Sequence, residues 1–533
     1  MPDAPIAPAD VPSSSDETSP QVGPSRAPRH IHFVRTALVG TCAGLLAVAF
    51  RRALALAESA REELLSHFHE RPSWGWAALP MIGLCVGGLV GWMTIRFAPE
   101  AAGSGIPHLK GALLHVRKLD WRRLIPIKFV GGVLGIGAGL SLGREGPTVQ
   151  MGAAVARALA GPLRTPPADV PQLFSAGAGA GLAAAFNAPL AGLVFVVEEL
   201  NRELSSRTAA GALIAAVCAT VLSQWLSGDT PAFAAYGLAS LSLKAFPAVI
   251  IVGLLGGVCG VLFNKSLLQS LHWASRIEYV PRWTLPGLAG LTVGLAAWWL
   301  PGAAGGGHAL AAQLLNGTFS GSAIILALLL IGKYAATMVS YGSGTPGGIF
   351  APMLLLGALV GTAFARVAAE AAPSYSMESQ SLAVLGMAAF FVGSVRAPLT
   401  GIVLISELTG GYVLLFPICI TCLTGYLVAE ALRDRPIYDA LLENDLARSG
   451  LGAPDVEPRT VYIGVQRGSP LAHLSIAKAG MPRGCLITGV DRNGRAVIPT
   501  ATTVLLPGDH ISVLVPGEKP DAPIEIARLC TGL

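Results

Sequence analysis

Gly143-Arg144-Glu145-Gly146-Pro147-Thr148 sets one carboxylate in a glycine-bracketed turn between two apolar runs, residues 130–142 and 149–159. An ionisable side chain kept at membrane depth is costly, and chains that keep one there use it on an ion or proton path. Glu145 is the first candidate functional residue.

The composition around this stretch supports a membrane reading. Of 533 residues, 52% are hydrophobic and 13% charged, whereas soluble chains carry about 25% charged residues. The chain therefore reads as an integral membrane protein. Its 64 glycines suit helices that pack through small residues and break at mid-membrane. The net charge of +5 is modest, and the basic residues sit in loops, so they report orientation and give no reason to expect nucleic acid. Arg117, Lys118, Arg122 and Arg123 share one short loop, which the positive-inside rule makes cytoplasmic. Residues 1–30 read as a disordered tail without a signal peptide's apolar stretch. Six of the eight cysteines lie in apolar segments as small core residues. The Cys419-Ile-Thr-Cys422 spacing has no neighbouring His or base and is read as structural.

Moving outward, spans are expected at 33–69, 74–97, 124–142, 149–159, 174–185 and 208–226. The second half then repeats the first, with spans near 246–271, 283–300 and 323–340. Gly347-Gly-Ile-Phe-Ala-Pro352 echoes the Glu145 turn, and Arg396-Ala-Pro-Leu-Thr-Gly401 echoes Asn187-Ala-Pro-Leu-Ala-Gly192. Pro147 and Pro352 are about 205 residues apart, and Pro189 and Pro398 about 209, the mark of a duplicated unit whose halves meet at a mid-membrane site. The expected fold is an all-α polytopic membrane domain over 31–446, an inverted repeat with halves about 31–227 and 240–446. Several segments are too short or too Gly/Pro-broken to span, as discontinuous helices lining a site would be.

After a linker at 447–458, the composition changes to that of a small soluble α+β domain, 459–533. Strands are expected at 460–465, 485–490, near 496 and at 510–515, with a helix at 470–479 and another at 524–529. Arg492-Asn-Gly-Arg495 is a hairpin signal.

Gly103-Ser-Gly-Ile-Pro107, Gly143-Arg-Glu-Gly-Pro147, Gly347-Gly-Ile-Phe-Ala-Pro352 and the tyrosine of Arg435-Pro-Ile-Tyr438, in this order, resemble the four anion-pathway signatures of the CLC chloride channel and transporter family. The physical chemistry agrees: glycine-rich turns that open helices leave N–H groups unpaired at the positive dipole end. These hold an anion without a full charge, which lets it leave again. Ser104 and Tyr438 would each add a hydroxyl donor. By resemblance, Gly105 belongs to this anion site, and Ile349 and Phe350 supply backbone amides. The resemblance makes Glu145 the external gate, Glu199 the inner proton relay of the exchanger branch and Glu198 an accessory for protons. Lys128 and Arg144 are read as raising the local positive potential. An Arg144–Glu145 pair is not expected, because helix neighbours at i and i+1 do not face each other.

No zinc-protease, nucleophile-elbow or Walker pattern occurs, and Gly332-Lys333 lacks a phosphate loop's other residues. Neither an enzyme nor a metal or cofactor site is expected; chloride and protons are the transported ions. Residues 461–515 resemble a TrkA-C-type ligand-binding module, whose role stays open between a sensor for an unknown ligand and a dimerisation unit. The expected protein is a homodimeric H+/Cl− exchanger of the inner membrane with both termini cytoplasmic. A passive chloride channel shares every anion motif; a cation transporter is the remoter alternative.

Overall fold

A computed structural model describes residues 27–70, 72–114, 116–202, 205–371, 378–448, 459–516 and 521–532. The expected N-terminal tail, up to residue 26, and the expected linker, from 449 to 458, lie outside these residues.

Eight helices form the first half: α1 (Arg29–His69), α2 (Pro72–Phe97), α3 (Ile106–Leu113), α4 (Trp121–Gly137), α5 (Glu145–Ala160), α6 (Val170–Phe186), α7 (Pro189–Phe195) and α8 (Ser206–Ser227). The second half gives eight counterparts in the same order: α9 (Phe246–Arg276), α10 (Leu285–Trp299), α11 (His308–Leu315), α12 (Ala323–Gly342), α13 (Phe350–Ala371), α14 (Ser379–Val395), α15 (Pro398–Thr409) and α16 (Leu415–Ala431). A last helix, α17 (Ile437–Arg448), returns to α3. Seven helices among the described residues are long and apolar enough to cross a membrane, namely α1, α2, α8, α9, α12, α13 and α16. The protein is a multi-pass membrane protein.

The halves are inverted relative to each other. The end of α15 meets the start of α7, and the end of α7 meets the start of α15, through Glu407 and Glu198 respectively. Counterparts therefore run antiparallel. Helices α6 and α14, too short to span, are buried almost all round and form the centre against α5 and α13. Small residues permit such packing: a Cβ on Gly83 of α2 would lie 2.4 Å from the Gly290 carbonyl oxygen of α10, so only glycine allows that backbone approach. The 41-residue α1 is about 60 Å long at helical rise and reaches both faces.

The C-terminal module is a four-stranded antiparallel sheet of β1 (Arg459–Gly464), β2 (Leu486–Arg492), β3 (Arg495–Val497) and β4 (His510–Val515), in the order β1-β4-β2-β3. The helix α18 (Ala522–Thr531) covers it, burying Ile526 and Cys530 with Val461, Ile511 and Val513. Positive φ at both Asn493 and Gly494 closes the expected hairpin in the manner of a type I′ turn. The helix expected at 470–479 is not formed. The chain there makes turns and one 3-10 turn, Ile476–Lys478, and its amides bond outward to the carbonyls of Leu505, Thr503 and Ala501. Pro470, a left-handed His473 and Gly480 interrupt the Ala/Leu pattern that suggested a helix.

A candidate anion and proton pathway

The three glycine turns meet at one place. Gly143 and Gly348 exchange both backbone hydrogen bonds, at 2.6 and 2.7 Å, and Gly103 exchanges bonds with Thr345 and Gly347. A Cβ on Gly146 would lie 2.5 Å from Ser104 Oγ and 3.2 Å from Gly348 Cα, so all three motifs come within van der Waals contact. The N-termini of α3, α5 and α13 begin here, each with first-turn amides lacking intrahelical partners.

The hydroxyls of Ser104 and Tyr438 are buried and have no hydrogen-bond partner among the described residues. Buried orphan donors are rare enough to call for an explanation, and beside helix N-termini an anion supplies one. Ile349 and Phe350 are wholly buried at the start of α13, with the Phe350 ring packed on Phe391 and Phe186. Gly105 caps α3 in a left-handed conformation.

The Glu145 side chain is fully buried and lies across this cradle. Its Oε2 accepts from the Ala351 amide in the first turn of α13 at 3.3 Å. Its Oε1 has no hydrogen bond among the described residues and stands 3.9 Å from both Arg144 Nε and His308 Nε2. Arg144, the N-cap of α5, thus comes near Glu145, although adjacent helix residues are not expected to face each other.

On the side of the module, Glu199 lies in a π-helical turn, Val196–Asn201, that continues α7. Its Oε1 accepts from Lys110 Nζ at 2.8 Å, Lys110 also reaches Asp439 Oδ1 at 2.5 Å, and Arg202 pairs with the other Asp439 oxygen. Two cations and two carboxylates thus form one buried network beside Tyr438. Glu198 takes another direction: its carboxylate accepts the amides of Leu399 and Thr400 and the Thr400 hydroxyl. The structure does not bring it into the Glu199 network.

Lys128 is fully buried and donates to the Ala101 and Gly103 carbonyls at 2.8 and 2.6 Å. It braces the first anion turn without touching the cradle. Lys333 does the same in the second half, donating to Gly305 and Ala303 at 2.6 and 3.4 Å. Sequence reasoning missed Lys333, Glu407, Lys110, Asp439, Arg202 and His308. The first two stand at the repeat spacings already visible, about 205 from Lys128 and 209 from Glu198. Lys110 is a charge inside an apolar stretch, itself a signal.

An inverted-repeat membrane protein whose helix N-termini converge on buried hydroxyls is, in class, a transport protein for small anions. Residues 86–430 match the family described as voltage gated chloride channel, and residues 461–519 match the TrkA-C domain. An H(+)/Cl(-) exchange transporter ClcA of Yersinia pseudotuberculosis serotype IB is 37% identical over 425 residues, 78% of this chain and 88% of the relative. That of Citrobacter koseri is 38% identical over 419 residues, 77% and 88% of the two chains. The crystal structure of a slow cyanobacterial Cl-/H+ antiporter superposes with a TM-score of 0.75 at 35% identity, covering 80% of this chain and all of the other. That of a CLC-type fluoride/proton antiporter gives 0.61 at 25% identity, covering 75% of this chain and 95% of the other. The chain belongs to the voltage-gated chloride channel, or CLC, family and carries a TrkA-C domain.

Proposed function

We propose that this protein exchanges chloride for protons, with Glu145 as the gate and Glu199 as the inner proton relay. The observation that carries the reading is Glu145 itself, whose carboxylate occupies a helix N-terminal amide inside the cradle where an anion would sit. A bound chloride competes with that carboxylate; once protonated, the side chain has less claim on the amide and can swing aside. One residue then both opens the path and carries the proton. Glu199, on the module's side of Tyr438, is placed to receive or supply protons there. Relatives named as H(+)/Cl(-) exchange transporters support this choice over a passive channel.

The module packs on the same face as the basic loop. Leu114 contributes to its apolar core, and Gln466 Nε2 donates to the Asn201 carbonyl at 3.1 Å; in the basic loop, Arg117 pairs with Asp445 of α17 at 2.8 Å. The start of α1 is held on that face too, through the Ala27 amide on Asp169, beside Ala168, which lines the seam with the module. With the basic loop inside, both termini are cytoplasmic in the inner membrane. A homodimer with one pathway per subunit is the arrangement the family resemblance implies.

The test is reconstitution into liposomes. An outward chloride gradient should drive uphill proton uptake, and Glu145→Gln and Glu199→Gln should each pass chloride without driving protons. Chloride flux with no proton movement in the unaltered protein leaves a passive channel.

A further inference from the structure

His308 opens α11 directly over the gate. Its Nε2 is 3.9 Å from Glu145 Oε1, the gate oxygen that has no hydrogen bond among the described residues. Both ring nitrogens are closed to solvent and have no partner among the described residues, an arrangement that ordinary packing avoids. Phe233 stacks on the ring at 5.0 Å with an interplanar angle of 12°, fixing its plane. About a fifth of the side chain, 21%, remains exposed, and His308 lines a cavity of about 640 Å³ together with Glu58, Arg61, Glu62 and Gln313. This cavity lies along the C-terminal part of α1, whereas the N-terminus of α1 is on the module's face. It is therefore the outer vestibule.

We propose that His308 is the outer proton carrier of the exchanger, passing protons between the vestibule and Glu145. The proposal rests on the gate reading of Glu145 given above. In the inward step a neutral ring protonated at Nε2 shifts until Nδ1, closed to solvent in this structure, meets vestibule water and takes a proton there. It then gives the Nε2 proton to Glu145 Oε1, leaving a neutral imidazole and a carboxylic acid. Exchange with water or a turn of the ring restores the starting tautomer, and the reverse sequence releases a proton. Nδ1 is on the side of Gly306, whose amide bonds Glu58 Oε1 at 3.3 Å, so the vestibule acid stands near the accepting nitrogen. Closing the remaining distance between Nε2 and Oε1 takes a shift of about 1 Å to reach hydrogen-bond length.

The charged groups around the ring are Arg144 and Glu145 at the start of α5, Lys333 of α12 beside Gly307, and Glu58 and Arg61 of α1. The helix α14 carries no titratable residue, and those of α13, Arg366 and Glu370, are at its far end. Of these groups, His308 is the one facing Glu145 with two ring nitrogens, so it can take up a proton on one side and release one on the other. A carrier matters because free protons are scarce. At pH 7 even an encounter rate of roughly 10^10 M⁻¹s⁻¹ delivers only about 10^3 protons per second to an open group, and Glu145 has no exposed surface.

The experiment measures chloride-driven proton uptake and chloride efflux in liposomes at symmetrical pH from about 4.5 to 8, for the full chain and for His308→Phe, His308→Gln and Glu145→Gln. His308→Phe keeps the stacking on Phe233 but cannot carry a proton; it should slow coupled exchange about tenfold or more at pH 7.5 and approach the unaltered rate at pH 4.5, where direct protonation suffices. His308→Gln restores hydrogen bonding but not titration and should show the same loss. An unchanged pH profile in His308→Phe overturns the carrier role, and so does full recovery in His308→Gln, which marks a structural role. Should His308→Phe fail to yield folded protein, His308→Gln alone decides. Proton coupling that survives Glu145→Gln overturns the gate reading instead, so the two failures are distinguishable.

Discussion

Glu198 and Glu407 each hold the N-terminus of the helix that carries the other. Glu198, at the end of α7, accepts the amides of Leu399 and Thr400 at 3.0 and 2.6 Å; Glu407, near the end of α15, accepts those of Leu190 and Ala191 at 3.1 and 2.8 Å. Each carboxylate satisfies first-turn donors and sits at the positive dipole end. Charge-assisted bonds of this kind contribute about 1.5–3 kcal/mol. Glu198→Ala and Glu407→Ala should therefore both lower the thermal midpoint of the detergent-solubilised protein by similar amounts, with the Gln variants losing less. Proton coupling in Glu198→Gln should persist. Coupling lost at full thermal stability would put Glu198 back on the proton path.

The close approach at Gly146 makes a sharper prediction. A Cβ there would lie 2.5 and 2.6 Å from Ser104 Oγ and O, so Gly146→Ala must push the α3 turn away from α5. A displacement near 1 Å at such a site costs about 10- to 100-fold in rate. Chloride flux in liposomes should fall by that much in protein that still elutes as folded material. Normal flux would mean that the two turns can part without harm to the pathway.

How far the sequence could be read is visible in these same residues. The four signatures and the duplication were legible because glycine, proline and a lone acid stand out against an apolar background, and because side-chain-independent amides do the work. Glu199 was legible by resemblance. Its partners were not: Lys110, Arg202 and Asp439 come from α3, the end of the π turn and α17, and no periodicity links them. The resemblance makes Glu198 an accessory for protons; that its carboxylate also caps α15 is legible only in the fold, because no sequence pattern links it to Leu399 and Thr400. His308 lies on an unremarkable eight-residue helix. The module's helix at 470–479 was misread because Ala and Leu suit either a helix or the underside of a sheet, and the backbone partners in 501–505 decided.

Within the module, Cys530 offers a test of packing by chemistry. Burial between α18, which carries it, and the sheet pushes its thiol up from about 9 to about 12. At pH 8 roughly one thiol in ten thousand is then thiolate, against a substantial fraction for an unfolded cysteine. Alkylation of Cys530 should be orders of magnitude slower in the folded protein than after denaturation, read by peptide mass spectrometry. Because the folded value is raised, the associated stability is fully present below about pH 9 and is lost as pH rises through about 12. Ready labelling of the native protein at pH 8 would show α18 detached from the sheet.

The buried network around Glu199 can be tested through its balance of charge. Lys110 bonds both Glu199 and Asp439, and Arg202 bonds only Asp439 in this set, so Lys110→Met leaves the Glu199 carboxylate buried without its nearest cation. Removing one partner of a buried pair costs about 3–5 kcal/mol, far more than the pair itself contributes. Lys110→Met should therefore be strongly destabilised, seen as a lower thermal midpoint and poorer yield. Adding Glu199→Gln removes the stranded charge and should recover much of the loss, whereas Glu199→Gln alone should be mild. This non-additivity belongs to residues in contact. If the double variant is instead as unstable as the two single losses combined, Lys110 supports the fold through Asp439, and Glu199 is held by something other than this ion pair.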